Sequence, residues 1–350
     1  MVWFQYIAIS YTVVSSALIL SLISSLTLAG LFTIESVYAQ TNFVTTDNNN
    51  DTSSSLILNV ATKKAHVGDI DIGYKILGKG NPILLFNGAS DNMNAWDGAF
   101  LKGLSSNHTV IVFDQRGIAN TTIGSKPYTY QQLANDSAGL LDVLKIPKVD
   151  VMGYSLGSYL AQQLTIIYPD KVNSLVLVGS SCGGKDHTPK PSEFIKLQSD
   201  VVNKSLNNVS ISQDEMEALV SASLGEGWIR LHPESVNIPE NITSLQQLKP
   251  GLPPEVANNQ INVGKHWEDN PNWSGSCDDL AKLAKPTLVI TGTDDNQYQP
   301  HVNSLKMVEK IPGAWLVQIK DAGHAVMDQY PAKIAKILNT FLSTISTPPS

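Results

Sequence analysis

Basic residues are scarce in this chain. Lysine and arginine total 24 against 31 acids, giving a net charge of −7. No run of lysine or arginine stands out. That excludes a nucleic-acid partner, which calls for basic patches, and electrostatic docking onto anionic lipid. Histidine and cysteine never cluster at metal-ligand spacing, so no metal is expected. No glycine-rich phosphate loop precedes a helix, and no cofactor is implied. Cysteine is limited to Cys182 and Cys277. A single bridge between them stays open, because sequence fixes no distance. What the chain does have is apolar content of 42% over 350 residues, ample for a buried sheet.

Basic residues are absent altogether from positions 1–39, where Glu35 is the one charged side chain. Ile7 to Ile34 is almost wholly apolar, and Val37-Tyr38-Ala39 offers small residues for cleavage before Gln40. This pattern predicts a secretory signal peptide. The apolar stretch is also long enough to remain as a membrane anchor over residues 7–34. Either way the expected location is secreted or extracytoplasmic. Residues 40–61 begin polar and rich in Asn, Asp, Ser and Thr, and are expected to be a disordered linker. Asn-x-Ser/Thr sequons recur downstream, for example at Asn107, Asn135 and Asn203, so export would make glycosylation possible.

The chemistry centres on Gly153-Tyr154-Ser155-Leu156-Gly157. An apolar run, Val149 to Met152, precedes it, and a helical pattern, Ser158 to Tyr168, follows. Strand, sharp turn with a central serine, then helix is the context of a nucleophile elbow. The turn strains the serine backbone and leaves no room for side chains two residues either side. In exchange the hydroxyl stands clear at a helix start, which favours developing negative charge. A nucleophilic serine needs a base, and the base an orienting acid. Downstream, the strand pattern Pro286 to Gly292 runs into Thr293-Asp294-Asp295, and the strand pattern Ala314 to Ile319 leads to Asp321-Ala322-Gly323-His324.

With these four motifs in order, the Asn87-Gly88 turn included, the chain resembles the α/β-hydrolase superfamily from about Val67 to Leu342. The resemblance implies Ser155 as nucleophile, His324 as base and Asp295 as acid, with Asp294 a turn or capping residue. It implies an oxyanion hole from the Leu156 and Ala89 N–H groups. Asn87 stands where relatives usually carry histidine. Phe113 to Gly117 also resembles the family, and Asp114 and Arg116 are read as structural braces. Ser158 is read as helix packing.

Strand and helix patterns alternate, which predicts an α/β fold with a mostly parallel eight-stranded sheet, helices on both faces. The core is expected over 62–180 and 286–345, with a helical lid over 181–285, inserted after the sixth strand. Trp228, Trp267 and Trp273 fall in that lid, and the two cysteines bracket it. The resemblance implies an exported serine hydrolase acting on a small-molecule acyl substrate, a carboxylic ester first. Peptidase, lactonase and carbon–carbon bond hydrolase chemistry share the scaffold. A slow-turnover ligand sensor is the alternative from another class.

Overall fold

The computed structural model describes residues 56–89, 91–207, 209–237, 253–296 and 301–346. The leader over 1–39, and the linker up to residue 55, lie outside the described residues. Among the described residues no helix is long and apolar enough to cross a membrane.

Eight strands form one sheet: β1 (Lys63–Val67), β2 (Ile70–Leu77), β3 (Asn81–Phe86), β4 (His108–Phe113), β5 (Val149–Tyr154), β6 (Val172–Val178), β7 (Thr287–Gly292) and β8 (Trp315–Ile319). Their order is β1-β2-β4-β3-β5-β6-β7-β8. β2 pairs antiparallel with β1 and β4, and every other pairing is parallel. The inner strands are apolar on both faces because both are covered. On β3, Leu84 and Phe86 join one core layer while Ile83 and Leu85 join the other.

The helices are α1 (Gly98–Ser105), α2 (Tyr130–Val143), α3 (Leu156–Ile167), α4 (Ser192–Leu206), α5 (Gln213–Leu224), α6 (Glu226–Leu231), α7 (Pro254–Glu268), α8 (Cys277–Leu283), α9 (Val302–Lys310), α10 (Val326–Gln329) and α11 (Pro331–Ser346). Side-chain caps start several of them. Asp97 accepts from Ala99 and Phe100 N–H, and Thr129 accepts from Gln132 N–H. Ser212 and Glu215 form a reciprocal capping box on α5. α2, α3, α8 and α9 pack one face of the sheet, and α1 and α11 the other.

Helices α4 to α8 lie in the interval expected to be a lid, of which residues 238–252 are outside the described residues, and they attach at two places. α4, α5 and α6 share a small core of Phe194, Val201, Met216, Leu219 and Trp228, which extends to Ala325 and Tyr330 behind β8. Trp267 instead packs with the main core, 5.1 Å from both Tyr159 and Tyr130. A Cys182–Cys277 disulfide joins the ends of the insertion.

One boundary needs correction. The linker expected through residue 61 ends earlier, because Ile57 is buried and its carbonyl accepts from Lys75 Nζ at 2.8 Å. The hydrophobic cluster Ser-Leu-Ile-Leu hidden in a polar stretch is the signal that composition averaging conceals.

Arg116 sits fully buried between Asp69 and Asp136, each at 2.8 Å. It also donates to the Ile123 carbonyl at 2.8 Å. The Arg116 guanidinium holds the Asp69 carboxyl well below its usual range. Arg116→Leu leaves two carboxylates facing an apolar side chain. The expected loss is about 3 kcal/mol of unfolding free energy, read by chemical denaturation. A change within error would mean that water replaces the guanidinium.

Candidate active site

Ser155 is the single residue between β5 and α3, at the N-cap of the helix. Its φ of 51° and ψ of −122° lie where L-residues rarely go. The flanking glycines make the turn feasible. A Cβ at Gly153 would strike the Gly157 carbonyl, and one at Gly157 would strike the carbonyls of Phe86 and Asn87. The elbow is therefore pressed directly against the loop after β3.

The structure brings Ser155, His324 and Asp295 together from the ends of three strands. His324 Nε2 lies 3.1 Å from Ser155 Oγ, and His324 Nδ1 lies 2.6 Å from Asp295 Oδ2. All three are buried. The ring order fits an imidazole that receives a proton at Nε2 while Nδ1–H donates to the carboxylate. The backbone around His324 is held too. Tyr154 Oη donates to the His324 carbonyl at 3.0 Å, and Gln329 Oε1 accepts from Gly323 N–H at 3.0 Å. Gln329 Nε2 donates onward to the Leu224 carbonyl at 2.7 Å, tying the base loop to α5.

Asp294 points elsewhere. Its Oδ2 accepts from Gly227 N–H at 2.7 Å, so it anchors the start of α6. Gly225 and Gly323 allow this close approach; a Cβ on Gly323 would run into the Ser223 and Leu224 backbone.

Ala89 is buried beside the elbow in the loop that follows β3. Leu156 N–H opens α3 next to Ser155, and Ala89 lies in the loop against which the elbow is pressed. Sequence left open what orients this loop when asparagine replaces histidine. Asn87 Nδ2 donates across it to Asn92 O at 3.0 Å, and Gln115 Nε2 donates to Asn87 O at 3.1 Å. Asp114 adds a third tie by accepting from Met93 N–H at 2.7 Å.

Ser158 does more than pack. Its hydroxyl lies 2.5 Å from the Ser155 carbonyl and 2.6 Å from Ser180 Oγ. Sequence reasoning also missed Tyr154, Gln162, Ser180 and Gln329.

Beyond the triad, Tyr159 Oη hydrogen-bonds Glu268 Oε1 at 2.9 Å. Burial, with the Glu268 charge adding to it, pushes the Tyr130 and Tyr159 hydroxyls well above the usual phenol range. His187 lies 3.8 Å from Glu268, and burial lowers its pKa. Among the described residues no group of three or more His, Cys, Asp or Glu side chains could hold a metal ion.

The chain belongs to the α/β-hydrolase fold family, whose model matches residues 81–331. It is 27% identical over 263 residues to a poly(3-hydroxyalkanoate) depolymerase from Ectopseudomonas oleovorans, covering 75% of this chain and 84% of that one. It is 25% identical over 291 residues to a 2-hydroxy-6-oxononadienedioate/2-hydroxy-6-oxononatrienedioate hydrolase from a Pseudomonas species, covering 79% and 91%. A thermophilic esterase from Thermogutta terrifontis shares the fold at a TM-score of 0.62 and 24% identity, over 82% of this chain and 100% of that one.

Proposed function

We propose that this hydrolase is exported and cleaves carboxylic esters through an acyl-enzyme on Ser155. The observation that carries the proposal is the unbroken line Ser155 Oγ, His324, Asp295 at 3.1 and 2.6 Å. Ser155 attacks the acyl carbon while His324 Nε2 takes its proton. The same proton then goes to the departing alcohol oxygen. Asp295 holds the Nδ1–H tautomer and supports the imidazolium. Ala89 and Leu156 N–H groups receive the developing oxyanion. Water, deprotonated by His324, resolves the acyl-enzyme.

The hydroxyalkanoate depolymerase among the relatives supports an ester as the bond cleaved, on a small-molecule or oligomeric acyl substrate. The Cys182–Cys277 bridge supports export, since such bonds persist in oxidising compartments. The test is stoichiometric labelling by a fluorophosphonate, followed by p-nitrophenyl esters of graded acyl length. Labelling without turnover on any ester would end the esterase reading, and labelling without turnover on any class of substrate, amides, lactones and carbon–carbon bonds included, would favour the slow sensor. For export, mass analysis of the mature protein should place its N-terminus at Gln40. Met1 retained in the membrane fraction would instead mark an anchor.

His324→Gln is expected to leave below about a thousandth of the activity. In the wild-type protein the acylation rate should fall as pH drops through one ionisation, because only a neutral imidazole accepts the serine proton. A pH-rate profile that stays flat down to the pH at which the protein unfolds would reject His324 as the base.

A further inference from the structure

Four fully buried polar side chains connect the nucleophile to the disulfide, and the reaction steps use none of them. They are Ser158, Gln162, Ser180 and Ser276. Gln162 Nε2 donates to Ser180 Oγ at 3.0 Å and to the Ser181 carbonyl at 3.1 Å. The carbonyl can only accept, so the amide orientation is settled. Ser158 Oγ has one proton, which the acceptor-only Ser155 carbonyl takes, so Ser180 Oγ is the donor across the 2.6 Å to Ser158 Oγ. The Ser158 proton goes in turn to the Ser155 carbonyl at 2.5 Å. On the other side Ser276 Oγ has two acceptors within reach, Gln162 Oε1 and the Cys182 carbonyl at 3.0 Å. Ser276 N–H donates to the Cys182 carbonyl at 2.9 Å, and Cys277 is the next residue. The Ser180 and Ser158 protons run in one sense toward Ser155, and the Ser276 hydroxyl joins Gln162 to the Cys182 carbonyl.

A polar chain this deep is costly to bury and persists only when fully satisfied. Apolar side chains would fill the same space. What it adds is a grip on the Ser155 carbonyl from outside the turn. A residue at φ 51° keeps that conformation only when its surroundings over-determine it. The disulfide closes the circuit, since Cys182 follows Ser180 by two residues and Cys277 follows Ser276.

We propose that Ser158, Ser180 and Gln162 are positioning residues for Ser155, and that the Cys182–Cys277 bridge holds their network, so that the state of the bridge is read out at the nucleophile. This rests on Ser155 being the nucleophile. Reduction by an external dithiol would open the bridge by transferring two electrons and two protons, giving two thiols and the reagent's own disulfide.

The experiment compares the wild-type protein, Gln162→Met, Cys182→Ser with Cys277→Ser, and the combination. The substrate is p-nitrophenyl acetate, and amide hydrogen exchange is followed over the peptide 153–160. Gln162→Met and bridge removal should each lower kcat about tenfold while KM moves less than about twofold. The combination should be no worse than the worse of the two, because both cut one chain. Exchange over 153–160 should rise equally in all three. Multiplying losses, a change confined to KM, or unchanged exchange would each overturn the proposal. Should Gln162→Met fail to fold, Ser180→Ala breaks the same chain with a smaller change in volume. If the wild-type protein turns over no ester, the esterase reading fails by itself, and the exchange comparison still decides the network.

Discussion

Ser155→Ala is expected to abolish labelling by fluorophosphonates and to lower ester turnover by as much as ~10⁶. The fold should survive. Alanine keeps the Cβ, so the strain at φ 51° is the same in both proteins. The carbonyl of residue 155 still accepts from Ser158 N–H at 2.8 Å and from the Ser158 hydroxyl. Only the bond from Ser155 Oγ to His324 Nε2 disappears. The stability change should stay within about 1 kcal/mol. Intact-mass spectrometry after labelling, with thermal melting as a control, makes the comparison. Two other serines lie close to the elbow, Ser158 and Ser180. Both hydroxyls are engaged in the buried network and are closed to solvent. A label appearing on either would remove Ser155 from the mechanism and dismantle the network reading with it.

The strands and the order of the site motifs could be read from the residues because each rests on local rules. Leu175 to Val178 and Thr287 to Ile290 are apolar runs that only a doubly covered strand explains. Gly153 and Gly157 announce a turn that admits no Cβ. Asp295 was separable from Asp294 by its distance from Gly292, although that distance carries meaning only beside known relatives. What could not be read is what depends on long-range side-chain partnering. Ser158, Gln162 and Ser180 are ordinary residues in any local window, and their meeting needs α3 packed on the end of β6. Gln329 shows the same limit, for its amide joins a core loop to an inserted helix 105 positions away. The early end of the linker at Ile57 was hidden because its partner, Lys75, lies 18 positions on, in β2. The fate of Trp267 depended on Tyr130 and Tyr159, two rings from separate helices.

Asp295→Asn should cost far more than Asp294→Asn, about 10⁴ in turnover against no more than about tenfold. The two carboxylates are neighbours in sequence with opposite duties. Asp295 is fully buried and meets His324 Nδ1 at 2.6 Å. An asparagine there removes the charge that supports the imidazolium. Should its Nδ2 face the ring, Nδ1 must accept, and the proton moves to Nε2. The nitrogen facing Ser155 would then be a donor, unable to take the hydroxyl proton. Asp294 Oδ2 instead accepts from Gly227 N–H at 2.7 Å. An asparagine can keep that bond with its own carbonyl oxygen, so the α6 anchor weakens without breaking. The variants therefore differ in kind as well as in size. Asp295→Asn should lower kcat with little change in KM, and turnover should recover in part at high pH, where hydroxide can supply the base function. Asp294→Asn should act mainly on KM, through the inserted helices that α6 belongs to. Steady-state kinetics on one p-nitrophenyl ester across pH 5 to 9 distinguishes them. Equal losses, or the larger loss at position 294, would mean that the histidine draws its acid from the other carboxylate, and the register of the whole turn after β7 would have to be redrawn.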